Sequence, residues 1–318
     1  MKRGIGRWLI ALAGAATIVL LFRCFAFTPC LIPSSGMENS LFQGERILVN
    51  KWSYGLRVPL MSLFSYHRWM EKPVHKNDIV VFNNPTQMPQ PFIDQRSIYI
   101  SRCIGLPGDT LFIDSFFNVT DENRQAVPDE KELYAYPKEK EHSMDSLLSV
   151  LSIKGNRQKG YNKEENIRNF SRYEYYLLEQ AMNINGGNWI HPLSKEKDAR
   201  FSHILHPLII PRKRSVLKVY PWNATLLRNT LVLHEGKQAE VRNDTLYING
   251  KPAQYCYFTK NYYWMSSNNS VNLADSRLFG FVPKDHIIGK ASCIWFSKET
   301  GTGLFQGYRW NRFFSSIR

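Results

Sequence analysis

A serine hydroxyl attacks a carbonyl only where a neighbouring group takes its proton. Attention therefore falls first on Ser34 and Ser35, adjacent hydroxyls in Ile32-Pro33-Ser34-Ser35-Gly36-Met37, just after a long apolar run. The plainer role for Ser34 is to cap or turn the chain after Pro33, and that for Met37 is core packing. Asp275 and Arg277, flanking Ser276, suit an ion pair or hydrogen-bond bracket that fixes a loop better than they suit catalysis. Cys24, Cys30, Cys103, Cys256 and Cys293 are odd in number, widely separated and at no zinc-ligand spacing. They imply neither a disulfide framework nor a metal site, and no cofactor is expected.

Such residues need elements to hold them. Residues 8–21 carry no charge, and the apolar run continues to Leu31 with only Arg23 interrupting it. About 20 residues at ~1.5 Å each cross a bilayer. A transmembrane anchor over residues 8–29 is thus expected, with Arg23 snorkelling near one end and Pro29 and Pro33 stopping the helix. No Ala-x-Ala site closes the run, which favours an uncleaved anchor over a signal peptide. Lys2, Arg3 and Arg7 place residues 1–7 in the cytoplasm, although Arg46, Lys51 and Arg57 weaken the contrast across the segment.

Beyond the anchor, short apolar runs at 46–51, 78–82, 97–104 and 110–113 are punctuated by Gly, Pro and Asn and read as strands. The pattern returns at 239–241, 245–248 and 255–258, with Asn249-Gly250 as a tight hairpin turn. Between them, 129–151 and 161–184 are rich in Glu, Lys, Leu and Tyr at helical spacing, a mixed insertion or cap. The net charge of +14 is scattered and forms no basic arm, which argues against nucleic acid. A basic exterior facing anionic headgroups accounts for it, each cation there gaining about 1 kcal/mol.

Three ordered blocks carry a family resemblance. The first is Ile32-Pro33-Ser34-Ser35-Gly36-Met37-Glu38-Asn39-Ser40-Leu41 with Gly44-Glu45-Arg46-Ile47-Leu48-Val49-Asn50-Lys51 and Tyr54-Gly55. The second is Ser101-Arg102-Cys103-Ile104-Gly105-Leu106-Pro107-Gly108-Asp109. The third runs from Asn268-Asn269-Ser270 through Ala274-Asp275-Ser276-Arg277 to Gly280-Phe281-Val282-Pro283 and Ile288-Gly289-Lys290-Ala291. Together they resemble the bacterial type I signal peptidases over most of the chain outside the middle insertion.

The resemblance implies a mainly β fold: a transmembrane helix, then a twisted sheet or barrel over 30–114 and 201–318, with a mixed α/β insertion over 115–200. It implies an extracytoplasmic domain on the bacterial inner membrane. It also implies chemistry in which a lysine takes the proton of a serine, and here the chain departs from the pattern. The family's nucleophile falls at Gly36, its base at Ser101 and its orienting serine at Leu273, while its Gly-Asp-Asn triplet falls at Ser267-Asn268-Asn269. Glycine has no side chain to attack with, and serine is no base at neutral pH. Ser34, Ser35, Gly36 and Met37 remain as oxyanion or groove candidates, and Arg102, Asp109, Asp275, Ser276 and Arg277 as a structural box. His286 falls in the tail and is not expected to be catalytic.

Three readings follow. The leading one is a pseudopeptidase in the protein-export pathway that binds signal-peptide-like segments of precursors, or an active signal peptidase. The second is an endopeptidase with a shifted nucleophile, Ser34 or Ser35, and a displaced lysine, for instance Lys51, as base. The third is a structural subunit of an envelope complex. The expected partner in all three is the lipid bilayer.

Overall fold

The computed structural model describes residues 2–86, 90–113, 119–120, 131–151, 153, 160–161, 164–184, 187–193, 205–269 and 275–317. Helix α1 spans Lys2–Phe25. The strands that position the site are β1 (Phe27–Leu31), β2 (Glu45–Asn50), β3 (Ile79–Asn83), β4 (Ile98–Gly105), β5 (Lys131–Pro137), β6 (Glu165–Ser171), β7 (Tyr262–Ser266) and β8 (Ile287–Ser297). Four more helices are α2 (Glu141–Val150), α3 (Arg172–Ile184), α4 (Ala224–His234) and α5 (Ser276–Phe279).

The chain is mainly β. Its principal sheet has eight antiparallel strands, with β1, β2, β8, β3, β4 and β7 side by side, Val282–Pro283 beyond β7 and Ser315–Ser316 against β8. Register shifts between β2 and β8, β8 and β3, and β4 and β7 add twist and curl the sheet. Alternation along β3 shows why it is central: Ile79 and Val81 enter a core with Met37, Leu41 and Ile47, while Val80 and Phe82 enter another with Tyr54, Cys103 and Met265. A third core packs α4 against Ile104, Trp264 and the 239–252 hairpin, where Asn249 and Gly250 both take the positive φ that a two-residue turn demands.

Helix α1 stops at Phe25, short of the expected residue 29, because 27–31 pair with β2 instead. Pro29 is tolerated there since β1 is an edge strand, where a missing N–H costs no ladder bond. The last carbonyls of the helix are satisfied from outside: Arg23 O accepts from Thr28 Oγ1 at 3.1 Å and from Lys51 Nζ at 2.9 Å, and Cys24 O from Lys51 Nζ at 3.1 Å. Among the described residues no helix is long and apolar enough to cross a membrane. The uncharged stretch from Trp8 to Phe22, 15 residues, rises only about 22 Å against a hydrocarbon core of about 30 Å.

The insertion has a core of its own. β5 and β6 pair along their length, with Gly160–Tyr161 and His191–Pro192 on either side, in a four-stranded sheet. Tyr134, Tyr136, Met144, Leu148, Phe170, Leu178 and Met182 pack between that sheet and helices α2 and α3. After the insertion, residues 201–204 lie outside the described residues, and His206–Ile209 pairs with Thr110–Ile113.

Candidate functional site

Beyond β1 the chain leaves the sheet in a tight loop. Glu38 N donates to Ser35 O (3.1 Å) and Leu41 N to Met37 O (2.7 Å), and Asn39 takes a φ of +78°, which asparagine tolerates well. Burial of Met37 and Leu41 beside Ile32 and Ile47 pins both ends. Ser35, Gly36 and Glu38 are buried and Ser34 is half-buried.

Blocks far apart in sequence converge on this loop. Asn269 N donates to Gly36 O at 3.1 Å and its side-chain amide to Ser35 O at 3.3 Å. The Asn268 amide donates to Glu38 O at 3.0 Å and to Ser40 Oγ at 2.9 Å. Arg102, buried on β4, sends one guanidinium nitrogen to Ser40 Oγ (2.7 Å) and another to Asn77 O (3.0 Å). Ser101, next to it, is fully buried opposite Val80. Asn268 and Asn269, where the resemblance puts an aspartate and an asparagine, are thus structural ties.

The remaining box residues fix turns. Asp275, fully buried, caps α5 by accepting from Arg277 N (3.0 Å), accepts from Ser267 N (2.8 Å) and pairs with the Arg277 guanidinium at 2.7 Å. Ser276 Oγ accepts from Met265 N at 2.9 Å. Asp109 accepts from Leu106 N at 3.0 Å across a turn in which Gly108 has a φ of +96°. Leu273 lies outside the described residues.

Lys51 is bound to the end of α1, not to the serines, and burial lowers its pKa. His286 belongs to a separate buried group: its Nδ1 lies 2.8 Å from Asp285 Oδ1 and its Nε2 3.2 Å from an Arg96 nitrogen. A guanidinium can only donate, so Nε2 accepts and the ring proton sits on Nδ1, facing the carboxylate. Among the described residues no cluster of three His, Cys, Asp or Glu is placed to hold a metal.

Several contributors have little signature in sequence. Ser40 stands in the first block but takes its importance from Arg102 and Asn268, partners some 60 and 230 residues away. Tyr54 donates to Asp78 at 2.9 Å, and Lys290 binds the same carboxylate. Lys131, at the start of the insertion, is buried beside Glu38.

Residues 5–180 and 254–296, more than half of the chain, match the family described as "Signal peptidase, peptidase S26". The chain belongs to that family. Among similar proteins, "Signal peptidase I" of Buchnera aphidicola subsp. Schizaphis graminum is 29% identical over 298 residues, covering 94% of this chain and 77% of that protein. That of Haemophilus influenzae is 25% identical over 334 residues, covering 98% and 75%. That of Pseudomonas aeruginosa is 38% identical over a shorter 97 residues, 30% of each chain. In this peptidase S26 chain the sheet, the Gly36 loop and the Asp275–Arg277 bracket form one connected scaffold, with Gly36 and Ser101 where the resemblance puts the nucleophile and base.

Proposed function

We propose that this chain is a membrane-anchored, non-hydrolysing signal peptidase homologue that acts in protein export by binding signal-peptide-like segments of precursors. The observation that carries the reading is that Gly36 and Ser101 stand where the resemblance puts the nucleophile and the base. Acyl transfer needs both groups at once. The shifted-nucleophile alternative requires a displaced lysine beside Ser34 or Ser35, and Lys51, the lysine considered for that role, is engaged at the end of α1.

Binding is supported by an open strand edge. On one side β4 pairs with β3 from Ile98 to Arg102; on the other it meets β7 only from Arg102 onward. Over Ile98, Tyr99 and Ile100 that second edge has no strand partner among the described residues, and an extended peptide can add to it by main-chain hydrogen bonds. The Gly36 loop is tied to the same strand, β4, through Ser40 and Arg102.

Helix α1 supports the anchor. Trp8, Ile10, Leu12 and Ile18 to Phe22 are exposed along its 24 residues, an apolar surface that water disfavours. The uncharged stretch is shorter than the hydrocarbon core, so on this reading Arg23 snorkels to the headgroups at one end and Lys2, Arg3 and Arg7 stay on the cytoplasmic side at the other.

The test incubates full-length protein in detergent with a signal-peptide-bearing precursor, beside Gly36→Ser, Ser101→Lys and the double variant. Precursor binding without cleavage by the unmodified protein is expected. Cleavage that disappears on Ser34→Ala or Ser35→Ala would restore the peptidase reading, and neither binding nor cleavage would favour a structural subunit.

A further inference from the structure

Lys131, from the insertion, reaches Glu38 in the Gly36 loop. Lys131 opens β5 opposite Ser171 of β6, and its side chain is wholly buried. Its Nζ lies 3.4 Å from Glu174 Oε1 on α3 and 3.9 Å from Glu38 Oε2 in the loop, and makes no hydrogen bond among the described residues.

Both neighbours of Lys131 are themselves held. Glu174 accepts from Ser171 N at 2.8 Å through its second oxygen, and its own N–H donates to Ser171 Oγ at 3.2 Å, a reciprocal cap on α3. Glu174, Leu178 and Met182 recur every four residues, so the inward face that seats the insertion's core also aims Glu174 at Lys131. On the loop side the backbone continues the connection: Lys131 N donates to Asn268 O (2.7 Å), Asn269 N to Gly36 O (3.1 Å) and the Asn268 amide to Glu38 O (3.0 Å).

We infer that Lys131 is a positioning residue for the Gly36 loop, tying Glu38 to α3 and so coupling the insertion to the peptide seat. The attraction acts in a buried setting where water screens it little, and removing Glu38 leaves Lys131 with Glu174 in place of two carboxylate neighbours. The inference rests on the reading that this seat binds extended peptides, and its test separates the two.

Full-length protein carrying Lys131→Met, Glu38→Gln or both is compared with the unmodified chain by amide exchange at residues 35–41. Affinity is read with a labelled synthetic peptide bearing an apolar run followed by small residues. Each single variant is expected to speed exchange at 35–41 and to weaken the peptide about tenfold, as lost pre-organisation does. The double variant should do no more than either alone, because partners in one interaction are not additive. Glu38→Gln changes almost no volume and carries the test if Lys131→Met fails to fold. Faster exchange confined to the insertion, or additive effects in the double variant, overturns the inference. If the unmodified protein binds no peptide, non-additive exchange at 35–41 still upholds the role of Lys131 and it is the peptide reading that falls.

Discussion

The Ser40 hydroxyl lies 2.7 Å from the Arg102 guanidinium and accepts its hydrogen bond inside the protein. That contact joins the loop after β1 to the strand carrying Ser101, and the Asn268 amide joins it at the same oxygen. Ser40→Ala leaves a buried cation and a buried amide each short of an acceptor, a loss of about 2–3 kcal/mol. Ser40→Thr keeps the oxygen and should stay near the unmodified stability, both read from urea unfolding.

Lys51→Met removes the donor to Arg23 O and Cys24 O. The cost expected is about 1 kcal/mol, from a lost charge at a helix C-terminus, seen as faster amide exchange around residues 22–26. Precursor binding should not change.

Tyr54→Phe deletes a 2.9 Å hydrogen bond to Asp78. Burial pushes the Asp78 carboxyl upward, but hydrogen bonds from Lys290, the His75 backbone and Tyr54 hold it below the usual carboxylate range. Without the phenol that carboxyl should titrate at higher pH, and stability should fall by about 1 kcal/mol. NMR titration and thermal unfolding read the two effects.

Acid should loosen the fold through its buried histidines. Burial, then the neighbouring His286, pushes His234 down to about 3, and burial also lowers His286 despite Asp285 beside it. Arg96, Lys260 and Arg57 crowd the same group. Unfolded histidines titrate near pH 6.5, so between there and about 3 the unfolded chain binds a proton at His234 that the fold refuses. Stability then falls with pH by up to about 1.4 kcal/mol per unit for that histidine. Asp285, held low by His286 and Lys260 against its burial, contributes stability at neutral pH and loses it only in stronger acid. Unfolding midpoints at pH 7 and pH 5 should differ less for His234→Gln than for the unmodified chain.

Local chemistry made part of this molecule legible in advance. Asn249-Gly250 marked its hairpin because few residue pairs accept two positive φ angles, and the apolar runs at 46–51 and 78–82 became β2 and β3 because alternation with burial leaves little choice. Pro29 misled, since proline ends helices more often than it sits in an edge strand, and β1 exists only because β2 lies alongside. Long-range partners were invisible: no periodicity announces that Lys131 meets Glu38 or that Arg102 meets Ser40, because those contacts are made by the closed fold and not by any segment.

A single residue, Ala26, separates α1 from β1. From Phe25 to Gly36 is 11 residues, at most about 36–40 Å of fully stretched chain. On the proposed reading, in which α1 sits in a bilayer, the Gly36 loop would be on a short leash: it could not patrol the compartment, and it would meet only segments that themselves emerge within a few nanometres of the lipid surface.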